Sequence, residues 1–341
     1  MDFTFSSDAE DAASLAATIL ADHTKPERLA EVEAGGNRFD PVLWKAITDA
    51  FDGAELGFIE LCRVLVEVGR TVAPIPLATD GVARLFLAEH DLTPDAGILS
   101  CAISEEHDYA PSVPTTTVAR DGDEVVVTGT KYLVPAATVA DAFLVTAASP
   151  DGSVVVRLDA SEVQVREQKL SDGDTVGLLE IDARVPADRL VPDGNRLVAL
   201  ATVATCAVQL GVVEGAVRLT SEYAKTREQF DRPIGTFQAV AQRLADGYID
   251  MRMQALTVWQ AAWRLSEGLP AEEAVATAKL WAADAGHRVA HTTVHVHGGV
   301  GIDLDGEAHR YFTAAKRYEL EHGSATDQAL RLGRLLAAGP A

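Results

Sequence analysis

Three stretches of this 341-residue chain hold chemically capable residues at tight spacing. The first is Tyr223-Ala-Lys-Thr-Arg227-Glu-Gln-Phe230-Asp-Arg-Pro-Ile234-Gly-Thr-Phe237-Gln238. The second is His295-Val-His-Gly298-Gly299-Val-Gly301, running on to His309-Arg-Tyr-Phe312, and the third is Gly129-Thr-Lys131 at the end of a β-rich run. His287, His291 and His295 fall at i, i+4 and i+8, one face of a helix, a spacing that can hold a metal ion. HExxH is absent and no cysteine or second carboxylate cluster lies nearby, so a histidine-bearing helix face is the better account and no metal is assigned. Plainer readings exist for the rest. Arg227 serves as a helix C-terminal cation, Phe230 as a core residue and the glycine pair as a helix C-cap.

The elements that must position these residues change along the chain. Residues 1–96 read as helical: apolar residues recur at helical spacing over 9–20, 42–51 and 54–72, Pro41 suits a first helical turn, and 79–90 adds a short helix. Pro74 and Pro76 stop the third of these. Over 97–192 the period becomes two. Runs at 116–120, 124–128, 142–146, 153–158 and 176–181 alternate with Asp121-Gly-Asp, Pro150-Asp-Gly and Asp172-Gly-Asp, which predicts an antiparallel β domain built on hairpins. No GxGxxG follows a strand and no P-loop is present. From 193 to 341 long helices return, at 197–225, 235–267 and 270–296, then a broken pair over 306–336. The fold class is therefore α+β: a helical domain, a β domain and a C-terminal four-helix bundle.

Composition narrows the partners. Acidic residues number 51 against 29 basic, a net charge of −22, which repels phosphate backbones and anionic lipid, so neither nucleic acid nor a membrane is expected. No purely apolar run of about 18 residues occurs. The acidic start lacks the basic region of a signal peptide, and three scattered cysteines without CxxC suit a reducing cytoplasm.

Taken with the α, β, α order, the three stretches resemble the acyl-CoA dehydrogenase family across nearly the whole chain, most strongly from about 195 onward. The resemblance implies FAD as cofactor. In the family's YxxxRxxFGxxIxxxQ segment the Arg binds the FAD pyrophosphate, and the Phe and Gln pack against and hydrogen-bond the cofactor. The matching residues are Arg227, Phe230, Ile234 and Gln238, with Asp231 where the family usually has Gly. A guanidinium fork suits a diphosphate because it donates bidentately with charge assistance. His295, Gly298 and Gly299 match the family's QxxGG turn, where backbone approaches the adenosine half of FAD as only glycine allows.

Other family features are missing. The TEPxAGSD-like flavin cradle reads Ser104-Glu-Glu-His-Asp-Tyr-Ala-Pro-Ser-Val-Pro114, and the aromatic WIT motif becomes Tyr132-Leu-Val-Pro135. The catalytic Glu before Gly-Thr aligns with His322, and the alternative base position falls on or near Ala201. No catalytic residue is assigned in this chain; His322 and Glu321 are the remaining candidates, with Glu214 a weaker third. The pattern resembles the smaller, base-lacking subunit of heteromeric, steroid side-chain type bacterial acyl-CoA dehydrogenases. That implies a second acyl-CoA dehydrogenase-like subunit in an α2β2 heterotetramer, an acyl-CoA substrate and electron-transfer flavoprotein as acceptor. Two alternatives stand beside it: a self-sufficient homo-oligomeric dehydrogenase using His322 or Glu321, and a structural subunit without flavin. Apolar stripes such as Val208, Val212, Ala216 and Leu219 are expected to need a neighbour's cover.

Overall fold

Capping chemistry starts the first helices. In this computed structural model, which describes residues 4–93 and 97–339, Ser6 Oγ accepts the Ala9 amide ahead of α1 (Ser7–His23). Residues 1–3 of the acidic start and 94–96 at the first expected boundary lie outside the described residues. After α2 (Pro26–Ala34), Asp40 accepts from the Val42 and Leu43 amides and fixes α3 (Pro41–Ala50), with the Arg28 guanidinium holding its carboxylate at 2.8 Å. Helix α4 (Phe58–Arg70) follows and ends before Val72, which sits at φ +50°. It starts four residues later than the periodicity predicts, because Gly57 rather than Ala54 takes the extended N-cap conformation.

The chain divides into two compact units. One holds the residues up to Val32, Asp40–Ile75 and everything from Val203; the other holds Glu33–Phe39 and Pro76–Thr202. In the second unit, α5 (Leu77–Ala88) docks on β1 (Leu99–Ala102) through Asp80, which accepts the Leu99 amide, and Thr79, which accepts the Cys101 amide. The further strands are β2 (Thr117–Asp121), β3 (Glu124–Val134), β4 (Ala142–Ser149), β5 (Gly152–Asp159), β6 (Gln164–Lys169), β7 (Thr175–Pro186) and β8 (Leu190–Pro192). They form one eight-stranded sheet in the order β6-β7-β3-β2-β4-β5-β8, with β1 beside β4. The sheet is mixed, not purely antiparallel as the turn signals predict. β1 runs parallel to β4, which the long connection through the β2–β3 hairpin makes possible.

The first unit is completed by α6 (Gly194–Thr226, beginning in the second unit), α7 (Gln238–Ser266), α8 (Glu272–His297), α9 (Ala308–Leu320) and α10 (Ala325–Ala338). By length and composition α6 could cross a membrane, but nearly all of its apolar window is buried in the fold, as expected of a bundle's central helix. Val208, Val212 and Ala216, expected to face a neighbour, are core residues instead, packed with Val289, Ala290 and Tyr311 or their surroundings, while Leu219 is half-buried against that cluster. Helices α4 and α6 approach backbone to backbone. A Cβ on Gly69 would meet the Val208 carbonyl, one on Gly211 the Val66 carbonyl, and one on Gly215 the Arg70 carbonyl. Arg70 sits at that seam between Glu67 and Glu214. Glu214 is thus half of an ion pair and not a solvated charge.

Candidate functional site

Three helices bring the predicted residues to one end of the bundle. Gly247 of α7 lies level with Val289 of α8 and Val217 of α6. α6 and α8 run on together from there: Thr220 Oγ1 meets Thr293 Oγ1 at 3.1 Å, and the Tyr223 ring stacks on His297 at 4.3 Å. Arg227 follows ten residues beyond Val217, Gly298 nine beyond Val289, and Gln238 stands nine before Gly247 on the antiparallel α7. Each is about 14–15 Å along its own helix direction from one shared level, so all three arrive at the same end.

The connection from α6 to α7 is a tight hairpin between β9 (Glu228–Gln229) and β10 (Arg232–Pro233), closed by the Ile234 amide donating to the Arg227 carbonyl at 2.8 Å. Its two central residues, Phe230 (φ +54°) and Asp231 (φ +62°), both lie in the left-handed region, as two-residue hairpin turns demand. A β-carbon there costs about 1–2 kcal/mol, and Asp bears it better than most. The glycine of the related motif thus marks a left-handed position that Asp231 also occupies. The ring of Phe230 is 87% exposed, so it is no core residue; its nearest aromatic neighbour is Phe237, edge-on at 6.1 Å. Arg232 lies over the Phe237 ring at 4.2 Å. Ile234 is half-buried and Gln238 exposed. Arg227 is exposed, and among the described residues its guanidinium joins no ion pair.

The glycine pair divides into two cases. Gly298 caps α8 at φ +65°, a conformation that favours glycine on its own account. Gly299 has no positive φ, and a Cβ on either residue would meet nothing within 4 Å. Nothing in this chain's own packing therefore requires glycine at 299. His295 is exposed on α8, while His297 is buried, its Nδ1 bonded to the Thr293 carbonyl at 2.8 Å. Further back on α8, His287 Nδ1 lies 3.1 Å from Glu319 Oε1, with the His291 ring 4.6 Å away. Among the described residues no group of three or more His, Cys, Asp or Glu is placed to hold a metal ion.

The turn where the resemblance puts a base is differently built. His322 is buried at φ +59°, and its carbonyl accepts from Gln328 Nε2 at 2.8 Å. Glu321 is held by Thr205 Oγ1 and Arg317 Nε, each at 3.4 Å. Below them the buried Lys279 ammonium donates to the Tyr318 and Glu319 carbonyls at 3.0 Å, closing the end of α9; burial pushes its pKa down to about 8. Ala201 is buried and carries no acid–base group.

The second unit holds a cluster the sequence gives only in part. Lys131 is fully buried, and its Nζ reaches Glu105 at 2.7 Å, Thr146 Oγ1 at 2.9 Å and the Ile103 carbonyl at 3.2 Å. Glu105 also accepts from the Thr115 amide and hydroxyl and the Thr116 amide, drawing together the two ends of the 105–116 loop. Ser104 Oγ donates to the Tyr109 carbonyl at 2.9 Å. Burial alone would raise the Glu105 pKa, but Lys131 and the threonine donors outweigh it and bring it to about 2. Gly129 is needed because a Cβ would collide with Thr116. An isolated lysine at an inward strand position was the available sign of this cluster.

Comparison with known proteins decides the family. Residues 198–336 match the model described as acyl-CoA dehydrogenase, C-terminal domain. The acyl-CoA dehydrogenase FadE27 of Mycobacterium tuberculosis is 42% identical, with all of both chains covered. The chain belongs to the acyl-CoA dehydrogenase family. A chain of the ChsE4–ChsE5 complex from Mycobacterium tuberculosis superposes with a TM-score of 0.93 at 42% identity over 100% of both chains. The Tcur3481–Tcur3483 steroid ACAD, solved as a variant, superposes with a TM-score of 0.89 at 37% identity, covering 96% of this chain and 97% of that one. The family implies FAD, and the open end of the bundle fits its diphosphate: an unpaired guanidinium stands beside two glycines whose absent side chains leave backbone uncovered.

Proposed function

We propose that this acyl-CoA dehydrogenase works as one subunit of a heteromer, supplying the adenosine-diphosphate half of an FAD site that a second acyl-CoA dehydrogenase-like subunit completes. The observation that carries the reading is Arg227, an exposed guanidinium without an ion pair in a chain of net charge −22. Such a group is built to meet an anion from outside the chain.

FAD, when bound, supplies the hydride acceptor for α,β-dehydrogenation of an acyl-CoA thioester. The work of this chain is binding and orientation. Arg227 takes the diphosphate, Phe230 and Ile234 give the cofactor an apolar contact, Gln238 and His295 offer hydrogen bonds, and Gly298 and Gly299 let backbone come close. The proton from the α-carbon goes to a glutamate of the partner, since His322 is buried in a turn and Glu321 is engaged by Thr205 and Arg317. The inward-turned groups of the 105–116 loop support the same division, because they leave no free donor set for a flavin ring of this chain's own. The proposal extends to an α2β2 heterotetramer in the cytoplasm, where three buried free thiols are at home, with electron-transfer flavoprotein as acceptor. A steroid side-chain acyl-CoA is the proposed substrate, supported by likeness to the steroid ACAD above.

Colour tests it. The chain is purified alone and co-expressed with an acyl-CoA dehydrogenase-like chain of its own genome that carries the TEPxAGSD-type loop and the glutamate. Flavin absorbance only in the co-expressed complex is the expected result. A yellow, active chain on its own makes it a self-sufficient dehydrogenase, and a colourless complex makes it a structural subunit; either overturns the proposal.

A further inference from the structure

The outward face of α7 is the wrong kind of surface for solvent. Ala241, Ala245, Tyr248, Arg252 and Leu256 recur at steps of four, three, four and four, and all are exposed, as is Ile249 beside them. Tyr248, Ile249 and Leu256 each leave more than half of their surface open. The opposite face, with Gly247, Asp250, Gln254 and Val258, is buried in the bundle. A surface helix normally shows solvent its charged side. Here Arg252 is the only charge on the stripe, and among the described residues it joins no ion pair. Cover from the chain itself begins at Trp259, where Phe5 packs edge-on at 4.8 Å and Arg63 lies over both rings. Between Gln238 and Leu256, about 28 Å of helix stands bare along that face.

We infer that this α7 stripe is the docking surface for the subunit that completes the cofactor site, a reading that rests on the function proposed above. Two features choose that occupant. Gln238 opens the helix on the same face, so the stripe is continuous with the Arg227 hairpin and the cofactor groups. A second copy of this chain would bring another 105–116 loop already fastened to itself by Glu105, and the cofactor would still lack its other half. The surface specifies its partner's chemistry: an apolar helical face that approaches closely over Ala241 and Ala245, with a carboxylate opposite Arg252. The 4-3-4-4 spacing suits a shallow, nearly aligned helix crossing.

The test uses the full chain co-expressed with the acyl-CoA dehydrogenase-like subunit named above. Ile249→Asp and Leu256→Arg are expected to lower recovery of the heteromer on size-exclusion at least tenfold, and Arg252→Glu to lower it by a smaller factor. Circular dichroism and thermal melting of the isolated chain should stay as in wild type, since these side chains are not packed. Arg227→Ala should keep the heteromer and lose flavin, which separates the two readings. A heteromer that forms without flavin, and that Ile249→Asp breaks, leaves the docking surface standing and removes the shared cofactor. Full heteromer and full flavin in Ile249→Asp and Leu256→Arg overturn the docking surface. So does a homo-oligomer of the chain alone that the same substitutions dissolve.

Discussion

Arg227 and Lys131 are both cations in motifs that the family ties to a bound cofactor, and their circumstances are opposite. The Arg227 guanidinium stands in solvent at the end of α6 with no partner among the described residues. The Lys131 ammonium lies fully buried, bonded to Glu105, Thr146 and a carbonyl. One is available to something outside the chain, while the other is spent on holding a loop of its own unit together. A motif therefore carries two kinds of information, about chemistry and about folding, and only the surroundings of each residue separate them.

That contrast breaks first at Lys131. Lys131→Met leaves the Glu105 carboxylate buried without its counter-charge, so chemical denaturation should show the variant less stable by about 3–5 kcal/mol. The double variant with Glu105→Gln should recover much of the loss, and an unchanged midpoint in Lys131→Met would put the two residues outside the fold's main supports. The pH dependence has a definite sign. The Glu105 pKa is lowered to about 2, so its contribution is complete above its unfolded value near 4.5 and is lost as pH falls toward 2. The wild-type chain should lose stability over that window more steeply than Glu105→Gln.

At the other pole, Arg227→Ala should leave stability alone and weaken flavin retention by the complex about 10–100-fold, the worth of a charge-assisted phosphate contact. Arg218→Ala is the control: Arg218 lies on the same helix but hydrogen-bonds Tyr311, and flavin content should hold. Equal flavin in both variants would remove Arg227 from the site. Gly299→Ala sharpens the comparison further. Its Cβ meets nothing within 4 Å, so melting should be unchanged while flavin affinity falls several-fold, measured by fluorescence titration. A smaller effect still is expected at the turn. His322→Ala and Glu321→Gln in the complex should each stay within a few-fold of wild-type turnover, against about 10²–10⁴ for a general base. A hundredfold loss with flavin and assembly intact would make this chain catalytic in its own right.

Much of this was readable in advance, for physical reasons that also explain what was not. The long bundle helices announce themselves because α6 and α8 bury apolar residues at a 3.6 period over seven turns or more. Strands β1 and β6 escape the same test. Leu99–Ala102 is buried on both faces and so shows no alternation, while Gln164–Lys169 is a polar edge strand with little apolar content. The cofactor residues are recognisable by type and order, yet their convergence depends on the register of three helices, fixed by contacts such as Tyr223 with His297. The open surface was misplaced onto Val208, Val212 and Ala216. Periodicity reports that a helix has an apolar side, and on α7 it also has one on the side its own bundle leaves uncovered.

The seam between α4 and α6 bears on how this protein would read in a saturation mutagenesis experiment. At Gly69, Gly211 and Gly215 the space for a β-carbon is already taken by the opposing helix's main chain. No rotamer adjustment can relieve such an overlap, because backbone is what must move. Even alanine is excluded, so fitness maps of this chain should show their deepest holes there, away from the open end of the bundle. Positions such as Gly299 and Arg227 should instead look permissive in any screen that scores only expression or solubility. Intolerance would point an investigator to the wrong half of the molecule, and the functional end would emerge only when the selection demands a coloured, assembled enzyme.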